Sequence, residues 1–155
     1  MKKILIALDY DPTAQKVAET GHALAQSMNA ETILLHVLAD NNYYIPLEYT
    51  PIMGFSGMPA VDLSEPVQSD ELLKAALSFL DASKQHLGDP TIQTIAVEGD
   101  FAESILKVAT ENSAEIIVLG LHSRSALEKI LMGSVTEKLL HDSHIPLFIV
   151  PTRRK

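Results

Sequence analysis

The chain has 155 residues, 46% of them apolar and 21% charged, enough for one globular domain with a buried core. It has no cysteine, which excludes disulfides and thiolate chemistry. Its net charge of −8 argues against a nucleic-acid partner, and no run approaches the ~20 apolar residues of a membrane-spanning helix.

Two lysines, Lys2 and Lys3, precede an apolar run over 4–8. The run stops at Asp9 and lacks a small-residue cleavage site, so it reads as a strand and not a signal peptide, and a cytoplasmic location is expected. Four more runs of strand length follow, at 32–37, 92–97, 116–119 and 147–150. All are rich in Ile, Val and Leu with little polar alternation, as in strands covered on both faces of a parallel sheet. Helical spacing fills the gaps between them. The first stripe is Ala14, Val17, Ala18, Gly21, Ala25 and Met28, and the second Leu73, Ala76, Leu77 and Leu80. Ala102, Ile105, Leu106 and Ala109 make a third, and Val135, Leu139 and Leu140 a fourth.

The joints agree. Asp11-Pro12 reads as a helix cap followed by proline at the first helical position. Asp100 with Glu103 approaches a capping box. Met28-Asn29-Ala30-Glu31 and Asn112-Ser113-Ala114-Glu115 read as matching helix-to-strand joints, with Asn taking the left-handed conformation. The alternation predicts a single α/β domain over 1–155: a five-stranded parallel sheet with helices on both faces and right-handed crossovers. Ligands of such sheets bind beyond the carboxyl ends of the strands, where the winding reverses. That rule points to Asp9, Val37, Gly99 and Gly120.

Residues 39–67 interrupt the alternation with Pro46, Pro51, Pro59, Pro66, Gly54 and Gly57. Tyr43, Tyr44, Ile45, Met53, Phe55 and Met58 make this long insertion too apolar for a plain linker. A cover packed over the top of the sheet and a surface for a partner both fit.

After the fourth run come Gly120, His122, Ser123 and Arg124, and then Gly133-Ser134 opens the last helix. Free amides, a hydroxyl and the positive end of a helix dipole favour an anion such as phosphate, and Arg124 and Lys129 add charge. A plain strand-to-helix connection capped by Ser134 explains the same residues. The chain contains neither a P-loop nor a G-x-G-x-x-G motif.

Gly120, two residues, Ser123, nine residues and Gly133-Ser134 together resemble the signature of the universal stress protein family. There the pattern is Gly, two residues, Gly, nine residues, then Gly and Ser or Thr. Ala7-Leu8-Asp9, Val97-Glu98-Gly99-Asp100 and Pro146-Leu147-Phe148-Ile149-Val150-Pro151 are similar to other parts of the family's pattern, so the resemblance spans nearly the whole chain. It implies a Rossmann-like sheet of the adenine nucleotide alpha hydrolase type, with strand order 3-2-1-4-5. It also implies an adenine nucleotide (ATP, ADP or AMP), with Mg²⁺ as an accompanying ion. Asp9 and Val37 would meet the adenosine part, and Gly120, Ser123, Gly133, Ser134 and Val135 the ribose and phosphates. His122, Arg124 and Thr136, from the same stretch, complete the candidate set. The chain departs from the family where Ser123 replaces the second glycine. If that position needs a positive φ, serine carries roughly 1–2 kcal/mol of strain. Tyr10 stands where the family has a small residue and would partly fill the mouth of the site. Asp11 would repel phosphate unless a divalent cation intervened.

No catalytic set emerges. Ser123, Ser125 and Ser134 lie outside any nucleophile elbow. Asp9 and Asp11 are explained by a strand end and a helix cap. His141 and His144 have metal-ligand spacing, but they also suit the negative end of the last helix. His36 reads as a hydrogen-bonded residue of the sheet. Leu147, Phe148, Ile149 and Val150 form an apolar edge strand, and the resemblance implies a homodimer through it. Two readings result: a homodimeric stress-response protein with a regulatory nucleotide, or a dimeric interaction module that has lost it. Weak ATP hydrolysis is a third and lesser reading.

Overall fold

Each of the five apolar runs forms a strand of one parallel sheet. A computed structural model of the chain describes residues 2–38, 69–121 and 134–152, with Ser69 and Ser134 described through their backbone only. The order is β1 (Lys3–Ala7), α1 (Ala14–Ser27), β2 (Glu31–Leu38), α2 (Ser69–Leu87), β3 (Gln93–Glu98), α3 (Phe101–Glu111), β4 (Ile116–Leu121), α4 (Ser134–Asp142) and β5 (Leu147–Pro151). The insertion expected over 39–67 and the basic tail Arg153-Arg154-Lys155 lie outside the described residues.

The strands are ordered β3-β2-β1-β4-β5, as the resemblance implied. The register sets Ile6 of β1 beside Leu34 on one flank and Val118 on the other. Successive strands run outward from β1 through β2 to β3, and the chain then returns to β4 on β1's other side. The winding therefore reverses between β1 and β4.

Side chains alternate across a strand, so each face has its own core. Ile4, Ile6, Leu8 and Leu34 join Val17 and Ala18 of α1 and Phe79 and Leu80 of α2. Leu5, Ile33, Leu35, Val37, Ile117 and Leu119 join Ile105 and Ala109 of α3 and Leu139 of α4. Leu5, Ile6, Leu34 and Ile117 are fully buried, and each such side chain contributes about 1.5–3 kcal/mol. Helix α1 lies close on β1: a Cβ on Gly21 would stand 2.7 Å from Ile6 Cδ1 and 3.2 Å from Val118 Cγ1.

Several local expectations are corrected. Helix α1 starts at Ala14, not Pro12, with Thr13 as its cap. The Asp11 carboxylate accepts from the Thr13 amide (2.9 Å) and hydroxyl (2.6 Å), forming a turn ahead of the helix. Leu77 and Leu140 are 44% and 47% exposed and do not belong to buried stripes. In α2 the inward row is Ala76, Phe79, Leu80 and Ser83, and Leu77 lies about 100° around the helix from Ala76. Leu140 is displaced in the same way from Leu139. At the paired joints, Asn29 (φ 53°) and Ser113 (φ 57°) take the left-handed position, so serine and not Asn112 does so at the second. Ala30 and Ala114 then donate to Ala25 O and Ala109 O at 2.8 and 2.9 Å, closing both helices alike. The cap of α3 matches expectation: the Asp100 carboxylate accepts from Glu103 N at 3.0 Å. Glu103's own carboxylate faces Lys138 at 3.7 Å.

Candidate functional site

Where β1 and β4 part, neither crossover helix closes the gap, and a cavity of 290 Å³ opens at the carboxyl ends of the strands. Ala7, Leu8 and Asp9 line it from β1 and its exit, Leu35 and Val37 from β2, and Leu119, Gly120 and Leu121 from β4. Ala14 and Val17 of α1, Phe101 and Ile105 of α3, and Val135 and Thr136 of α4 complete the wall. Five of the residues singled out from the sequence thus share one cavity: Asp9, Val37, Gly120, Val135 and Thr136. Ser134 opens α4 directly beside them. His122, Ser123, Arg124 and Gly133 lie outside the described residues. Gly99 lies just past the end of β3 and is not among the residues lining the cavity.

The wall residues contributed by the sheet are tied down at the strand ends. Leu8 N donates to Leu35 O at 2.8 Å, which ties the β1 exit to β2. The Leu8 carbonyl accepts from the His36 ring at 2.7 Å. Gly120 faces Val150 across β4 and β5, and Thr152 N and Oγ1 both donate to Leu121 O, at 3.1 and 2.8 Å. These bonds leave Asp9 exposed at the end of β1, where its Oδ1 accepts from Asp11 N at 3.1 Å. Asp9 is the charged member of the wall. Thr136 is buried, and it contributes a hydroxyl-bearing residue to the wall. The start of α4 adds amides that its first turn leaves unpaired within the helix.

Tyr10 and Asp11 do not obstruct this space. Tyr10 turns away to stack on His36 (centroids 4.2 Å) and meets Phe79 edge-on at 5.0 Å. The Asp11 carboxylate is engaged by Thr13 and is not a wall residue. His36 belongs to the sheet, as expected. Burial pushes its pKa below the ordinary imidazole value, against the opposing pull of the Leu8 carbonyl and the Asp9 charge.

Two further histidines, His22 and His141, pair with neighbouring side chains. His22 is buried against Thr32 Oγ1 (3.1 Å), with Nε2 3.6 Å from the Asp89 carboxylate. His141 pairs with neighbouring Asp142 at 2.7 Å, and that bond raises its pKa. Among the described residues, no three His, Asp or Glu side chains gather as a metal site.

The sequence reading missed most of the apolar wall: Ala14, Val17, Leu35, Phe101, Ile105, Leu119 and Leu121. Their helical or strand spacing is that of core residues. One signal was present in Phe101, a large aromatic residue directly after the Gly99-Asp100 turn.

A mostly apolar cleft with one carboxylate, one threonine and a helix start suits a ligand with a flat apolar part and an anionic end. Comparison with known proteins gives a consistent result. Residues 1–151 match the model of the Universal stress protein family. The chain is 30% identical to universal stress protein MJ0577 of Methanocaldococcus jannaschii, over 96% of this chain and 94% of that one. It is 32% identical to stress response protein NhaX of Bacillus subtilis, over 96% of each. The solved structure of MJ0577 superposes with a TM-score of 0.70 at 25% identity, covering 99% of this chain and 98% of that one. The Archaeoglobus fulgidus universal stress protein in complex with dAMP has the same fold, with a TM-score of 0.62 at 14% identity over 96% and 97% of the two chains.

Proposed function

The chain belongs to the universal stress protein family, and from that premise we propose that it is a cytoplasmic, homodimeric regulatory protein that binds an adenine nucleotide in the cavity between β1 and β4. One observation carries the reading: Asp9, Val37, Gly120, Val135 and Thr136 come from four separate elements and converge on one cleft. Its volume of 290 Å³ lies just below the usual range of ligand pockets, which run from about 300 to 1,000 Å³. The apolar wall receives the base. Asp9 and Thr136 offer an acceptor and a donor to the sugar. The phosphates extend toward Ser134 and the positive end of α4. A universal stress protein structure bound to cAMP and the dAMP complex, both of the same fold, support this choice of ligand class. Mg²⁺ would come with the nucleotide's phosphates. The reading assigns the nucleotide a regulatory role. No residue of the cleft is assigned to activate water.

The dimer contact is β5. It is the last strand of the sheet, and Phe148 on it is 39% exposed. An apolar strand with one open edge favours pairing with a second copy. Ser123, which replaces a family glycine, favours a second reading in which the dimer persists without nucleotide.

Native mass spectrometry of the full chain with and without ATP tests both readings. The expected species is a dimer that gains nucleotide mass. A bare dimer at millimolar ATP overturns the nucleotide assignment, and a monomer overturns the β5 contact.

A further inference from the structure

Among the described residues, four large apolar side chains are strongly exposed: Leu77, Phe101, Leu140 and Phe148. Only Phe101 also lines the cavity, and it remains 42% exposed there. We propose that Phe101 is the base-stacking residue of this site and makes it favour purine over pyrimidine nucleotides, an inference that rests on the nucleotide reading above.

The placement of Phe101 is built in. Gly99 N donates to Leu38 O at 2.9 Å, which ties the turn before Phe101 to the end of β2. The Asp100 carboxylate then caps α3 through Glu103 N at 3.0 Å and reaches Lys138 Nζ of α4 at 3.4 Å. The backbone carrying the ring is thus anchored to two neighbouring elements before any ligand arrives, which lowers the entropy lost on binding. An exposed aromatic ring at a cavity wall offers a flat face to any base. Phenylalanine has no polar atom, so it distinguishes bases by stacking area and not by hydrogen bonding, and the larger purine gains more. Phe101 does not hold phosphate or sugar, so a ligand without a base ignores it.

The test is titration calorimetry of the full chain with ATP, CTP and inorganic triphosphate, on the wild type and on Phe101→Ala and Phe101→Trp. Loss of one aromatic stack is expected to weaken ATP binding about fivefold to a hundredfold in Phe101→Ala. The same substitution narrows the preference for ATP over CTP and leaves triphosphate binding unchanged. Phe101→Trp retains ATP binding. Because the chain has no tryptophan, its single indole is then quenched by ATP and not by triphosphate. Wild-type ATP binding that survives Phe101→Ala overturns the assignment of Phe101 and leaves the nucleotide site intact. Equal loss of ATP and triphosphate assigns Phe101 to the scaffold and also overturns the proposal. A wild type that binds no nucleotide rejects the site reading itself. Melting curves of Phe101→Ala are expected to match the wild type, because the side chain stands exposed at the first residue of its helix. If that variant melts early, Phe101→Leu keeps the bulk without the aromatic face, and retained ATP binding there overturns stacking.

Discussion

Replacing Gly99 by alanine tests how firmly the turn below the cavity rim is held. Gly99 has φ +144°, and a Cβ there would stand 2.8 Å from Ser104 Oγ. Two costs follow, and they are separable. Holding an L-residue in that glycine region costs about 1–3 kcal/mol. The close contact involves the tip of a side chain that can rotate away, at about 0.5–1.5 kcal/mol. Alanine also restricts the unfolded chain and returns about 0.4–1 kcal/mol. The expected net loss is about 0.5–4 kcal/mol, read from urea unfolding of the apo protein. Ser104→Ala in the same chain removes the contact and recovers only that smaller part, because φ is unchanged. Full recovery in the double variant would refute the backbone argument, and so would a Gly99→Ala variant as stable as wild type. The turn also positions Phe101, so Gly99→Ala weakens nucleotide binding in the same direction as Phe101→Ala.

Gly21→Ala gains about 1 kcal/mol of helix propensity but overpacks Ile6 at about 1–3 kcal/mol, so a net loss of up to about 2 kcal/mol is expected. In an Ile6→Ala background the same substitution becomes neutral or stabilising, and additive effects in that double-mutant cycle would refute the close approach. The burial that lowers the His36 pKa sets the sign of its pH dependence. The unfolded imidazole titrates near 6.5 and takes up protons that the folded one refuses. Its contribution to stability is therefore complete above that range and is lost as pH falls through it, by up to ~1.4 kcal/mol per pH unit. Urea midpoints measured above and below pH ~6.5 should differ less in His36→Gln than in the wild type, and an identical slope in both proteins would discard the assignment. The lowered carboxyls of Glu19, Asp89 and Asp100 act in a separate, more acidic window. Asp100→Ala removes the cap of α3 and costs about 1 kcal/mol, while the exposed Lys138 contact adds little. Asp100→Asn should keep most of that stability, and equal losses from both would exclude the cap.

Fold class was readable along the chain because strands buried on both faces must be apolar throughout, while a crossover helix needs only one apolar stripe. Hence 32–37 and 116–119 stand out as strands, and Ala14, Val17, Ala18 and Gly21 as a helix face. Local chemistry was readable where it depends on neighbours in sequence, as at the Asp100 cap. It failed where a competing local bond existed. Asp11 satisfied Thr13 and delayed α1, and Ser113 took the turn position expected of an asparagine.

The candidate site divides in the same way. Asp9, Val37 and Gly120 were accessible to a rule about strand ends, because that rule needs only the positions where strands stop. The apolar wall was not. Phe101, Ile105 and Val17 carry the spacing of ordinary core residues, and periodicity reports which side of an element is apolar without saying what that side meets. Only the reversal of winding between β1 and β4 leaves some of those faces without a partner and turns would-be core into the lining of a cleft. That gap arises from contacts between elements far apart in the chain, which no local pattern of residues encodes.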